Sequence, residues 1–400
     1  MQAYLLEIAN LLMRWLHVIA AVAWIGESIY FVMLDNGLRK PKAEEDREKG
    51  VFGEMWAVHG GGFYHNQKYA TAPAKLPEDL HWSFWKAYTT WLTGFGMFIL
   101  FYMTKPSSMT GGQQSWEWAA AMNGWQTNAV AVLFLLGGWV VYNELCKRIS
   151  PNMTRDGILS AAVAVMMIVV SYLSTHIFSG KAAFLLTGAV MGTAMSANVF
   201  FWIIPGQRRM VKAMKAGEAP NPLDGKRGKQ RSVHNTYFTL PVLLLMVSNH
   251  FSVLYAHELS WILMALLIFA GAVIRQYFVL MHAGSKQPAY LAAGAVLILV
   301  AIGVGSISSD TQTGEGTPIA EMDVSGKDVM LQMGKHCVQC HAQDPSNQAY
   351  SAPPAGYAFD NWETVLEQKA KIKRQVDGGI MPLGNMTDMT QAERDVIAAW

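Results

Sequence analysis

The chain has 400 residues with 31 Lys+Arg against 29 Asp+Glu, so its net charge of +2 gives no reason to expect a nucleic-acid partner. Its residues are 52% hydrophobic and only 15% charged, whereas about 25% are charged in a soluble globular domain. A soluble globular chain is therefore excluded, and the bilayer is the expected surrounding.

Apolar runs of about 20 residues mark membrane spans. Eight are found: Trp15 to Leu34, Trp82 to Met103, Trp125 to Leu145, Gly157 to Phe178, Ala182 to Ile204, Thr236 to Leu254, Leu259 to Met281 and Tyr290 to Ile307. The first run continues to Leu34 without a small-residue cleavage site, so it reads as a retained helix and not as a signal peptide. Several spans open on tryptophan, a ring that favours the headgroup layer.

The connection after the first span holds seven basic residues (Arg39, Lys40, Lys42, Arg47, Lys49, Lys68, Lys75). The one after the fifth holds eight (Arg208, Arg209, Lys212, Lys215, Lys226, Arg227, Lys229, Arg231). Lys147, Arg148, Arg155 and Lys286 fall in the other two odd-numbered connections, against Lys105 and Lys181 opposite. The positive-inside rule then makes the odd connections cytoplasmic and puts both termini outside.

The first connection, a long cytoplasmic loop over 35–81, contains His59-Gly60-Gly61-Gly62-Phe63-Tyr64-His65. Its glycines let backbone amides approach a ligand, and His59 or His65 can shuttle protons. The competing reading is an interfacial loop with a flexible turn.

Ionisable groups inside spans are costly, so each needs a partner or a function. Glu27, Asn198 and Arg275, with Lys86, fall towards the inner side. They form either a buried ion pair that fixes packing, or a site in which Arg275 makes forked hydrogen bonds and Glu27 acts as base. Towards the outer side lie His17, His176 and His250, with His257 in the loop beyond. Two imidazoles at one depth suit a second haem, of b type; the alternative is that all three are simply hydrated or bonded to carbonyls. The helix His17-Val18-Ile19-Ala20-Ala21-Val22-Ala23-Trp24-Ile25-Gly26 resembles the opening helix of the membrane-bound protoporphyrinogen oxidase family, where that histidine serves haem.

Residues 308–324 are rich in Ser, Thr, Gly and acidic side chains and read as a solvated linker. The remainder, 325–400, carries Cys337-Val338-Gln339-Cys340-His341, the C-x-x-C-H pattern in which two thiols on one turn hold a haem and the adjacent imidazole ligates the iron. A zinc site would need a second ligand pair, and Cys146, the other cysteine, lies far upstream. Met381, stiffened by Pro382, is the expected sixth ligand, with Met386 and Met389 as substitutes. The expected fold class is all-α: a polytopic membrane bundle of eight transmembrane helices over 1–307, followed by a small class I cytochrome c domain. Haem c is normally attached outside the cytoplasmic membrane, which agrees with the charge count.

The eight-span domain, the His59-Gly60-Gly61-Gly62-Phe63-Tyr64 loop and the haem motif with Met381-Pro382-Leu383-Gly384-Asn385 together resemble the bacterial membrane-integral urate oxidase (urate hydroxylase) with a C-terminal cytochrome c domain. That resemblance implies a bacterial inner membrane, with urate as substrate and 5-hydroxyisourate as product. It also implies that electrons leave through the haem to a soluble or membrane cytochrome or a terminal oxidase. Glu27, Arg275, Asn198, His59 and His65 are the candidate catalytic residues, and Trp24, Phe63 or Tyr64 the stacking ring. A site near the inner face would stand most of a ~30 Å bilayer core from an outer haem. A haem b would shorten the path; otherwise the pocket must lie outward, beside His17 and His176. Two other functions fit the same chain: an electron-transfer cytochrome that accepts quinol electrons without substrate chemistry, and a transporter or sensor whose haem reports redox state.

Overall fold

Helices occupy all eight apolar intervals in the computed structural model, which describes residues 2–110, 114–255, 257–306, 324–347, 353–382, 387 and 389–400. They are α1 (Gln2–Gly37), α2 (Trp85–Phe98), α3 (Gly124–Ile149), α4 (Asp156–Ile177), α5 (Gly180–Ala197), α6 (Pro222–Ser248), α7 (Ser260–His282) and α8 (Ala289–Gly305). Five segments are long and apolar enough to cross a bilayer: Ile8–Gly37, Gly124–Ile149, Asp156–Ile177, Gly180–Lys215 and Ser260–His282. Of the other three, α8 is apolar but short, and α2 continues into the wide turns Ile99–Met103. The third, α6, begins about four turns before its apolar run, in a basic segment.

Leu11, Leu12, Trp15, Val18, Ile19 and Val22 of α1 all face outward. So large an exposed apolar face suits hydrocarbon and not water. α5 is the central helix, with Phe184, Leu186, Val190, Met191 and Met195 buried against Leu245 of α6 and Phe178. Lipid is as apolar as these side chains, so close packing and polar bonds hold such helices together more than transfer from water does.

Two prolines shape the interior. Pro205 offers no N–H to the carbonyl four residues back, and the helix there widens over Asn198–Ile203 before resuming as Ile204–Lys215. Pro241 lies within α6 and meets Gly271 of α7, where a Cβ would come within 3.1 Å of the proline ring. That glycine lets α6 and α7 approach closely.

The long connection between α1 and α2 departs from the all-α expectation. It contains an antiparallel hairpin, β1 (Val51–His59) and β2 (Gly62–Tyr69). Its turn is Gly60-Gly61, both at positive φ (57° and 82°), as a two-residue hairpin turn requires. The glycine triplet thus reverses the chain, and the alternating pattern on either side supplies the strands. Asp35 at the end of α1 binds both Lys68 of β2 and, at 2.9 Å, Lys229 of α6, tying the hairpin to the bundle.

The linker lies outside the described residues apart from its last residue. Beyond it, α9 (Gly326–Gln332), α10 (Trp362–Glu367), α11 (Lys369–Asp377) and α12 (Gln391–Ala399) surround a core of Val329, Met333, Phe359, Val365, Ile372, Val376, Met389 and Ile397. α9 and α12 each open on a capping box, Ser325 with Asp328 and Thr390 with Glu393. Ile380, in the loop after α11, packs against the core of the eight-helix bundle.

Candidate functional site

In the C-terminal unit, the Cys337 carbonyl accepts from the backbone N–H groups of Cys340 (3.1 Å) and His341 (2.8 Å), setting the two thiols and the imidazole on one turn. His341 Nδ1 lies 2.9 Å from the Tyr357 carbonyl, so it carries the proton and leaves Nε2 as the ligand atom. Burial lowers the His341 pKa, which favours the neutral, ligating imidazole. Burial also pushes the Cys337 thiol up to about 12. Two thiols and an imidazole with its Nε2 free on one turn are the donor set that a covalently attached haem requires. Met381 is half-buried and held at both ends: its N–H donates to the Gln375 carbonyl (2.9 Å), and its carbonyl accepts from Arg394 Nη1 (2.7 Å). Met389 packs in the unit's core, whereas Met386 and the Leu383-Gly384-Asn385 stretch lie outside the described residues.

The inner polar residues are not gathered into one site. Glu27 accepts from Ser83 Oγ at 2.6 Å and pairs with Lys86 Nζ at 2.9 Å, joining α1 to the start of α2. It makes no ion pair with Arg275. The expectation of a Glu27–Arg275 pair is corrected accordingly: similar depth does not bring together residues that face different neighbours.

Asn198 belongs to a separate buried network. Its Nδ2 donates to the Tyr142 hydroxyl (3.0 Å) and to Asn235 Oδ1 (2.9 Å), and its Oδ1 accepts from Arg231 Nη1 (3.3 Å). Arg231 also donates to Asn143 Oδ1 (3.1 Å) and lies between the rings of Tyr142 (5.2 Å) and Trp202 (4.8 Å). Tyr142 Oη is 2.8 Å from His234 Nδ1. This network fastens α3, the widened turns after α5, and α6. Sequence reasoning missed it by treating Arg231 as a loop cation. The available signal was Arg231, His234, Asn235 and Phe238 at helical spacing, extending the helix upstream of its apolar run.

Arg275 stands by itself on α7. It is 6% exposed, its Nε is sealed from solvent without an acceptor, and its guanidinium donates to no other described residue. Beside it the Tyr237 hydroxyl of α6 donates to Gln276 Oε1.

His65 and His59 are also separated from these groups. His65 stacks on Trp56 (4.2 Å between centroids) and bonds Glu54 Oε2 at 2.8 Å, while His59 is exposed beside the hairpin turn. A bond from the Lys42 amide and the contact with His65 hold the Glu54 carboxyl below its ordinary range. Asp46, Glu54 and His65 present three potential metal-ligand atoms within 4.8 Å of one another. Phe63 and Tyr64 are exposed on the hairpin, and Trp24 packs on the bundle core.

Among the outer histidines, His17 Nδ1 is 3.0 Å from Thr93 Oγ1, with its ring against Gly94. His176 Nδ1 is 2.7 Å from the Tyr172 carbonyl, and its ring packs on Tyr172 and Trp116. His250 is exposed in the turn after α6. The three histidines thus keep different immediate neighbours among the described residues.

A family model described as Urate oxidase N-terminal matches residues 3–306, the entire helical bundle with its hairpin. No curated relative and no solved structure matches the chain. The matched region is well over half of the 400 residues, and the chain belongs to the Urate oxidase N-terminal family.

Proposed function

We propose that the chain is a membrane-bound urate oxidase that hydroxylates urate to 5-hydroxyisourate and sends the electrons to a haem c on its own C-terminal unit. The observation that carries this reading is the continuity of one chain. A urate oxidase family region over 3–306 is followed by a C-x-x-C-H turn whose His341 is already held with Nε2 free. Per turnover, one water oxygen is added and, counted from neutral urate, two electrons and two protons leave. Bound haem supplies a one-electron acceptor, so the unit discharges twice in each cycle. Cys337 and Cys340 would attach it, His341 and Met381 would ligate it, and Ile380, next to Met381, packs on the bundle in which substrate would be oxidised. Onward acceptors are a soluble or membrane cytochrome or a terminal oxidase on the outer side.

The test is anaerobic addition of urate to the purified, oxidised protein while the haem alpha band is followed. Reduction by urate with formation of 5-hydroxyisourate supports the oxidase. A haem that stays ferric with urate but is reduced by quinol identifies an electron-transfer cytochrome instead. Urate binding without any haem reduction identifies a sensor or transporter.

A further inference from the structure

Two arginines are buried within the helical bundle, at 2% and 6% exposure, and their surroundings are opposite in kind. Arg231 is satisfied by two asparagine oxygens and lies between two aromatic rings, so its bonding explains its burial. Arg275 has no acceptor for any guanidinium nitrogen among the described residues, and its Nε is fully enclosed. Among the described residues no carboxylate pairs with it, and Glu27 is committed to Lys86 and Ser83 on another helix pair. A buried guanidinium is costly unless an anion or strong acceptors complete it.

The groups next to Arg275 have a matching polarity. Tyr237 spends its hydroxyl proton on Gln276 Oε1, which leaves the phenol oxygen as an acceptor and the Gln276 amide nitrogen as a donor. Arg275 lies within electrostatic range of Tyr237 and of His282, which is seven residues further along the same face of α7. The close approach of α6 and α7 at Pro241 and Gly271, within two turns of this group, holds the two helices in register.

We propose that Arg275, Tyr237 and Gln276 form the binding site for a planar oxopurine monoanion, which on the urate reading above is the substrate itself. A guanidinium fork matches a ring carbonyl beside a deprotonated ring nitrogen, and a ring N–H can donate to the Tyr237 oxygen. The site is fifteen residues along α7 from Ser260 and seven from His282, so it lies about 22 Å from one end of the helix and about 10 Å from the other. With the basic connections inside, the nearer end is cytoplasmic. Substrate then enters from the cytoplasm.

The test uses the full-length holoprotein, reduced beforehand with dithionite so that urate binds without turnover. Equilibrium dialysis with radiolabelled urate is run on the wild type, Arg275→Gln, Arg275→Lys and Tyr237→Phe. The expected result is at least a tenfold weaker affinity in Arg275→Gln and a partial recovery in Arg275→Lys. In parallel, hypoxanthine, which is neutral at the same pH, should bind wild type and Arg275→Gln alike. Should Arg275→Gln not fold, Tyr237→Phe carries the test through a several-fold loss of affinity. Wild-type urate affinity in both Arg275→Gln and Tyr237→Phe overturns the site, even where urate reduces the wild-type haem and the oxidase reading stands. Arginine-dependent urate binding in a protein whose haem urate never reduces has the opposite meaning: the site stands and the oxidase reading fails.

Discussion

Replacing Arg394 with alanine should free the loop that carries Met381, the sixth ligand of the proposed haem, while leaving covalent attachment through Cys337 and Cys340 intact. Arg394 Nη1 donates to the Val376 carbonyl at the end of α11 (2.9 Å) and to the Met381 carbonyl (2.7 Å), bridging the helix to the loop. Hydrogen bonds from a charged donor contribute about 1.5–3 kcal/mol each when shielded. The side chain is only half-buried and the pair shares one nitrogen, so we take about 2 kcal/mol for both together. At about 1.4 kcal/mol per tenfold, that shifts the balance between bound and released Met381 roughly 30-fold towards release. The assay is the weak far-red band of ferric haem that reports methionine ligation, followed on warming in wild type, Arg394→Ala and Arg394→Lys. The band should fade at a clearly lower temperature in Arg394→Ala, with Arg394→Lys between the two, and the pyridine haemochrome should be unchanged. Identical fading in all three would show that these carbonyl bonds do not hold the ligand loop.

Three other outcomes are expected. Asn198→Leu removes one buried hydrogen-bond partner each from Tyr142, Asn235 and Arg231, at roughly 1–3 kcal/mol apiece; a markedly lower melting temperature in detergent should result, and an unchanged one would deny the network its structural role. Haem attached through Cys337 and Cys340 should give one c-type haem per chain in a pyridine haemochrome, lost in Cys337→Ala/Cys340→Ala; a b-type component that survives that change and disappears in His17→Ala or His176→Ala would show that the outer histidines hold a second haem. Bonds from Lys335 and Thr390 hold the Glu393 carboxyl down at about 2, so its stabilising effect is complete above the unfolded carboxylate value of about 4.3 and is lost as pH falls from there through about 2. The melting difference between wild type and Glu393→Gln should therefore be large at pH 6 and shrink towards pH 2; a difference independent of pH would contradict this.

What is legible in the sequence follows from which constraints are one-dimensional. A helix must be about 20 apolar residues long to cross hydrocarbon, and that length can be read off a line of text, so all eight helix positions are visible in the hydropathy pattern alone. The haem turn is equally local, since Cys337, Cys340 and His341 lie within five residues. The hairpin is less visible because Gly60-Gly61-Gly62 is compatible with a ligand-binding nest, a loose loop or a tight reversal. The register of Trp56 opposite His65 decides among them only once the strands are paired.

Azimuth is the coordinate that a span list lacks. Glu27 and Arg275 fall at similar depth, yet one faces Ser83 and Lys86 while the other faces the α6–α7 contact. Arg231 shows the converse error, because a cation count treats every basic residue between spans as solvated although this one is buried against Tyr142 and Trp202. Once facing is known, the two buried arginines separate on bonding alone. The Arg231 guanidinium, bonded to two asparagine oxygens, fastens helices, whereas Arg275, with its Nε sealed and no acceptor among the described residues, is the one suited to meet an anion. That distinction, and not depth in the bilayer, is what directs the search for substrate to Arg275.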